Sequence, residues 1–164
     1  MSALIPADLI PSMKKSNKKG VFFWGVCSLC MLFFIYGQSV LPSKESGELS
    51  GFFMVYLNPI LDPFGWFDSD SVHFFIRKAA HFTEFTLFSL SLTRLCGKCR
   101  WKNPILPLFA GLLVAVSDEF LQSFTGRGSS VRDVIVDFSG VLFGFGLIWL
   151  SNRFFRKKEK SYEA

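Results

Sequence analysis

Four apolar runs, each of about 20 residues or more, constrain the fold of this chain more than any other feature. They lie at Val21–Leu41, Val72–Leu95, Pro104–Phe124 and Val131–Ser151. At about 1.5 Å per residue, a helix of this length crosses a hydrocarbon core of ~30 Å. A soluble domain of this size would not contain four apolar runs of membrane-spanning length. The composition agrees, since 50% of the residues are hydrophobic and the mean hydropathy is +0.35. The sequence therefore predicts an all-α membrane protein with four transmembrane helices.

The distribution of Lys and Arg around the runs predicts the orientation of the chain. Thirteen of the 18 basic residues lie in residues 1–20, in the connection Arg94–Lys102 or after the fourth run. Basic residues are in excess on the cytoplasmic side of membrane proteins, so we expect both termini in the cytoplasm. Residues 1–20 and 152–164 are then basic tails near anionic headgroups, and residues 21–151 form the membrane domain. The net charge of +5 indicates this contact and no nucleic-acid partner.

The longest connection, residues 42–71, contains an aromatic and apolar segment, Phe52–Phe67. It is too short to span a membrane, and Pro59 and Pro63 interrupt it. Such a segment favours a helix lying in the extracytoplasmic membrane interface, or a lid over the bundle. A plain loop packed on the helix ends is the alternative.

Cysteines occur as two pairs, Cys27-x-x-Cys30 and Cys96-x-x-Cys99, both toward the predicted cytoplasmic side. Disulfides are rare on that reducing side. The first pair lies inside an apolar helix with no loop to shape a zinc site. We interpret the four cysteines as packing residues or acylation targets. In our leading interpretation the chain has no metal site and no cofactor.

Ionisable residues inside the runs are the second constraint, because a charge at mid-bilayer costs about 2.5–3.5 kcal/mol. Polar and ionisable residues recur in three of the runs: Arg77, His81 and Glu84 in the second, Asp118, Glu119 and Gln122 in the third, and Asp133 and Asp137 in the fourth. In the second run the i, i+4, i+7 spacing puts all three on one helix face. We expect these side chains to meet just beneath the outer membrane surface, with Arg127 and Arg132 above them.

Two other features predict how the second and fourth runs pack. Lys78 points about 100° away from the polar stripe, so we expect its ammonium group to extend toward the headgroups. The pattern Gly140-x-x-x-Gly144 predicts close approach of another helix.

Three sequence blocks together resemble the VanZ-like family. The blocks are Arg77-Lys78-Ala79-Ala80-His81-Phe82-x-Glu84-Phe85, then Asp118-Glu119-Phe120-Leu121-Gln122-Ser123-Phe124-x-Gly126-Arg127, then Arg132-Asp133-Val134-x-x-Asp137-x-x-Gly140. They occur in the order and spacing of the family. The resemblance implies a small multi-pass protein of the bacterial cell membrane. The namesake of the family is associated with resistance to teicoplanin, a lipid-tailed glycopeptide that acts at the outer membrane face.

The first functional hypothesis is an outward-facing polar pocket that binds a lipid-tailed anionic molecule, and so contributes to lipoglycopeptide resistance. Arg77, Arg127 and Arg132 would hold the headgroup, because Arg offers planar, bidentate donors. The aromatic segment Phe52–Phe67 would cover the lipid portion. The other ligand-binding residues would be Gln122, Asp133 and Asp137.

The second hypothesis is an intramembrane enzyme that acts on a lipid-linked cell-wall or phospholipid substrate. His81 would be its acid or base, oriented by Glu84 or Asp118, because imidazole titrates near neutral pH. Glu119 completes this candidate catalytic set. With Asp137, the two carboxylates of the third run could also bind a divalent cation.

Two further readings remain open. One is a transporter in which acids and a histidine relay protons. The other is an ion-paired network that only fixes how the helices pack. The sequence does not decide whether the chain is an enzyme, nor whether it is a monomer or a homodimer. The expected partners are membrane lipids or a lipid-tailed amphiphile.

Overall fold

The computed structural model describes residues 18–40, 69–99, 103–125 and 130–162, and these residues form four α-helices. In chain order the helices are α1 (Lys18–Val40), α2 (Ser69–Lys98), α3 (Ile105–Phe124) and α4 (Val131–Tyr162). The predicted all-α fold is confirmed. The aromatic segment Phe52–Phe67 and Arg127 lie outside the described residues.

Three of these helices are long and apolar enough to cross a membrane. They are α1, α3 and the part of α4 from Val131 to Phe154. Helix α2 has 30 residues, but its sequence is less apolar because it includes Arg77, Lys78 and Glu84. Three apolar helices of this length make the chain a multi-pass membrane protein.

Many large apolar side chains lie on the outer surface of the bundle. Phe22, Phe33 and Val131 are each at least three-quarters exposed, as side chains that face lipid tails are. One hydrophobic cluster fills the centre, and it consists of Ile35, Phe85, Phe88, Ala115 and Val141. Polar side chains are also buried beside this cluster. The interior therefore differs from the lipid-facing surface by the polar groups that it contains.

Helices α2 and α4 run parallel and pack closely. A Cβ on Gly140 would lie 2.5 Å from the backbone oxygen of Phe82, and one on Gly144 would lie 2.5 Å from that of Thr86. The hydroxyl of Thr86 donates to the carbonyl oxygen of Gly140 at 3.2 Å, and that of Ser89 donates to the carbonyl oxygen of Val141 at 2.7 Å. The close approach predicted from the Gly140-x-x-x-Gly144 pattern is confirmed.

Helix α3 packs between α1 and α4 and fixes one end of the bundle. Tyr36 and Ser117 share a hydrogen bond of 2.7 Å between α1 and α3. The hydroxyl of Thr125 donates to the carbonyl oxygen of Ser39 at 3.2 Å. The backbone N–H of Ser130 donates to Oε2 of Glu119 at 2.9 Å. The ends of α1 and α3 and the start of α4 therefore lie together, and we call this the Val40 end.

Candidate functional site

A buried carboxylate, Asp118, is the centre of a polar network near the Val40 end. Its side chain is fully buried, and Oδ1 accepts a hydrogen bond from the hydroxyl of Ser39. Gln122, one turn along α3, donates from Nε2 to Oδ2 of Asp118 at 2.8 Å. Arg77 donates from Nη2 to Oε1 of Gln122 at 3.4 Å. The network thus connects α1, α3 and α2 through four side chains.

A second carboxylate, Asp137 of α4, lies beside the imidazole of His81. The distance from Nδ1 of His81 to Oδ1 of Asp137 is 3.6 Å. Asp137 is 1% exposed, and neither of its carboxylate oxygens has a hydrogen-bond partner among the described residues. Ligand atoms of His81, Asp118 and Asp137 lie within 4.8 Å of one another. We call these six residues the polar cluster: Ser39, Arg77, His81, Asp118, Gln122 and Asp137.

An ion pair at the edge of the cluster corrects one expectation from the sequence. Lys78 was expected to extend toward the headgroups, but its ammonium group pairs with the carboxylate of Asp133. The pair forms because α2 and α4 are parallel and adjacent, which brings Lys78 opposite the first turn of α4. The Nζ atom also lies 5.2 Å from the ring centroid of Phe74.

The remaining predicted residues surround this arrangement at different depths. Glu119 is buried and accepts the Ser130 N–H bond described above, so it joins α3 to the start of α4. Glu84 lies half-buried on α2, about one turn beyond His81. Arg132 is exposed at the start of α4. The prediction for Arg127 lies outside the described residues.

Sequence reasoning missed the contribution of α1. Ser39 donates to Asp118 and its backbone oxygen accepts from Thr125, so it binds α3 twice. A signal was available, because Gln38 and Ser39 are polar residues at the end of an otherwise apolar run. Ser39 lies one residue from the end of α1 and Asp118 six residues from the end of α3, and the hydrogen bond between them places both at the same level of the bundle.

A layer of apolar residues lies directly beneath the polar cluster, away from the Val40 end. Each member lies three or four positions from a cluster residue on the same helix: Ile35 from Ser39, Phe85 from His81, Ala115 from Asp118, and Val141 from Asp137. All four are 1% exposed or less. This layer, the apolar floor, separates the polar cluster from the other half of the bundle.

The electrostatic balance of the site is negative at its centre. Asp118, Glu119 and Asp137 are all buried. Each ionised carboxylate taken out of water costs several kcal/mol unless a partner compensates it. Arg77, Lys78 and His81 are the basic side chains of α2 that lie at this level. The arrangement can therefore hold a cation among the carboxylates, and an anion beside Arg77.

Comparison with known proteins identifies one family. No curated protein matches the chain, and no solved structure matches it. A family model described as VanZ/LLP1 matches residues 22–152. This range includes most of α1, all of α2 and α3, α4 as far as residue 152, and every residue of the polar cluster. The chain belongs to the VanZ/LLP1 family.

Proposed function

We propose that this chain is a cell-envelope protein that binds the headgroup of a lipid-tailed anionic molecule at its polar cluster. In this proposal all four helices cross the membrane, and both termini are cytoplasmic. The Val40 end then faces the outer leaflet. The family match is consistent with such an envelope protein.

One observation carries the proposal: the polar cluster lies at the same level as aromatic side chains on the lipid-facing surface. Phe74 and Phe75, within one turn of Arg77, are more than 60% exposed. On α3, Phe120 lies between Asp118 and Gln122 in sequence and is 64% exposed. A molecule that reaches the cluster between these helices therefore contacts both polar and apolar groups, which suits an amphiphile.

Arg77 is the residue that we assign to the anionic headgroup. Its bond to Gln122 uses one of five N–H donors and a neutral acceptor, so a phosphate or carboxylate would be a stronger partner. Arg132 is exposed at the start of α4 and would supply a second positive charge. Arg127 completes the proposed set, as the sequence predicts.

The partners of the basic side chains on α2 support the proposal that this helix is the fourth span. Arg77 bonds to Gln122, Lys78 pairs with Asp133, and His81 lies beside Asp137. These three groups point into the bundle. Another part of the helix surface exposes Phe75 and Leu87. A helix of 30 residues with this division can lie in lipid while its polar stripe stays covered.

The binding experiment compares two arginines on α2. Arg77→Ala should weaken binding of phosphatidylglycerol about tenfold or more, because charge-assisted hydrogen bonds contribute ~1.5–3 kcal/mol. Arg94→Ala, at the opposite end of the helix, should leave binding unchanged. Native mass spectrometry of the purified protein, titrated with the anionic lipid and with a zwitterionic lipid, measures both. Equal lipid occupancy in the folded Arg77→Ala protein and the wild type would refute the proposal.

A second experiment tests the link to antibiotic resistance. Expression of the chain in a teicoplanin-sensitive bacterium should raise the inhibitory concentration of teicoplanin. It should not change that of a glycopeptide without a lipid tail. Arg77→Ala should remove the protection at equal protein level in the membrane. Protection against both compounds would contradict recognition of the lipid tail.

A second candidate function is an intramembrane enzyme with His81 as acid or base. The proximity of His81 to the buried carboxylate of Asp137 favours it, because a carboxylate can orient an imidazole for proton transfer. The sequence suggested Glu84 or Asp118 for that role. Turnover of a lipid phosphate by the purified protein, lost in His81→Gln and kept in His73→Gln, would support this candidate. Recovery of the lipid chemically unchanged would exclude it.

A further inference from the structure

We propose that His81, Asp118 and Asp137 bind a divalent transition-metal ion, such as Zn²⁺ or Mn²⁺. This inference concerns the metal ion alone and does not depend on the proposed binding of an amphiphile. Three helices each supply one ligand: α2 the imidazole, α3 and α4 a carboxylate.

The first argument is the spacing of the ligand atoms. Bonds of ~2.1 Å to a tetrahedral ion place neighbouring ligand atoms roughly 3.4 Å apart. Nδ1 of His81 and Oδ1 of Asp137 are 3.6 Å apart, which is too long for a hydrogen bond and close to that ligand spacing. Atoms of all three residues lie within 4.8 Å of one another. A small contraction would bring them to metal-bonding distance.

The second argument is the state of Asp137. A buried carboxylate ordinarily accepts several hydrogen bonds. Asp137 is 1% exposed, and neither of its oxygens accepts one from the described residues. Its Oδ1 atom lies on the His81 side, toward the other two ligands. A metal ion at this position would satisfy the carboxylate that the described protein groups leave without a hydrogen bond.

The third argument is charge. Two ionised aspartates and a neutral imidazole carry a charge of −2, which one divalent cation neutralises. The basic side chains at this level bind other groups than Asp118 and Asp137, since Lys78 pairs with Asp133 and Arg77 bonds to Gln122. Glu119 adds a further buried acid on α3. The surroundings therefore favour a cation at the centre of the three ligands.

The fourth argument is support around the ligands and access to them. Ligating carboxylates in metal sites are themselves hydrogen-bonded, and this fixes their orientation. Asp118 accepts from Ser39 on Oδ1 and from Gln122 on Oδ2, and these two bonds orient its carboxylate. The side chain of His81 is 14% exposed, which makes it the most accessible of the three ligands. One nitrogen and two oxygens suit Zn²⁺ or Mn²⁺ better than Ca²⁺.

The affinity test uses purified, EDTA-treated full-length protein titrated calorimetrically with Zn²⁺ and, separately, with Mn²⁺. The wild type should bind one ion. His81→Gln and Asp137→Asn should each weaken binding by more than about 100-fold, since even a second-shell partner is worth 10–100-fold. Ser39→Ala should weaken it about tenfold. His73→Gln, which changes the only other histidine of the chain, should bind as the wild type does.

A spectroscopic test needs no variant and so does not depend on how a mutant folds. Pulsed electron paramagnetic resonance of the Mn²⁺-loaded wild type should show coupling to a directly bonded ¹⁴N. Absence of that coupling would overturn the assignment. It would also be overturned if the wild type bound neither ion, or if His81→Gln and Asp137→Asn bound as tightly as the wild type. Metal binding without any lipid binding would refute only the function proposed above.

Discussion

Asp118 is held on both of its oxygens, and the two donors come from different helices. Ser39 of α1 donates to Oδ1, and Gln122 of α3 donates to Oδ2. A buried carboxylate that lacks hydrogen-bond donors raises the free energy of the folded protein, because no water replaces the missing donors. The orientation of this carboxylate therefore depends on a hydroxyl group that lies 79 positions away in the sequence.

Replacing that hydroxyl should destabilise the bundle by a measurable amount. We expect Ser39→Ala to lower the free energy of unfolding by about 1–2 kcal/mol, because Asp118 loses a donor and stays buried. Ser123→Ala is the matched control. Ser123 is exposed, and among the described residues its hydroxyl bonds only to the carbonyl oxygen of Phe120 in the same helix, so the change should stay within about 0.5 kcal/mol. Thermal unfolding in detergent measures both variants, and equal effects would contradict the role of Ser39.

For single residues, the sequence predicts which side chains gather in the polar cluster. It does not predict which two side chains form a particular pair. Asp118, His81 and Asp137 are ionisable residues at matched depths in apolar runs, so their convergence can be expected from the cost of exposing them to lipid. The pairing of Lys78 with Asp133 could not be expected. It depends on α2 and α4 being parallel neighbours, and the spacing of residues within one helix carries no information about that.

Among the elements, α2 and α4 form the contact that aligns the ligands of the polar cluster. Gly140 and Gly144 allow the backbone of α2 to lie against that of α4. His81 is one residue before Phe82, which faces Gly140, and Asp137 is one turn before Gly140. The distance between His81 and Asp137 is therefore set by how closely the two helices approach.

A methyl group at this contact should separate the helices. Gly140→Ala places a Cβ 2.5 Å from the backbone oxygen of Phe82, which cannot move without the helix, so we expect a loss of about 1–3 kcal/mol. Gly146→Ala, on the same helix, places a Cβ with no atom of the described residues within 4 Å and should be neutral or stabilising by up to ~1 kcal/mol. Thermal unfolding compares the two. A Gly140→Ala protein as stable as Gly146→Ala would show that the contact is loose.

The helices extend further than apolar patterning predicts. The fourth run ends at Ser151 on hydropathy, but α4 continues to Tyr162. The added residues include the sequence Arg156-Lys157-Lys158-Glu159-Lys160, whose members have good helix propensity in water. Hydropathy reports where a membrane ends. A helix ends where its backbone hydrogen bonds or its propensity fail, so the two boundaries differ.

For the molecule as a whole, the orientation in the membrane remains a prediction from charge. We expect a fluorescent protein fused to either terminus to fold and fluoresce, because the distribution of basic residues predicts that both termini are cytoplasmic. Alkaline phosphatase inserted near Gly47, in the predicted outer connection, should be active, since that enzyme needs an oxidising compartment. The reverse pattern of activities would place the polar cluster in the inner half of the membrane.

The apolar floor gives the whole molecule one further property. Ile35, Phe85, Ala115 and Val141 close the bundle directly below the polar groups, so a molecule bound at the polar cluster would meet packed apolar side chains beneath it. Such a molecule would leave on the side from which it entered, into the same leaflet. Passage of a solute or a proton to the opposite side would first require these four side chains to part.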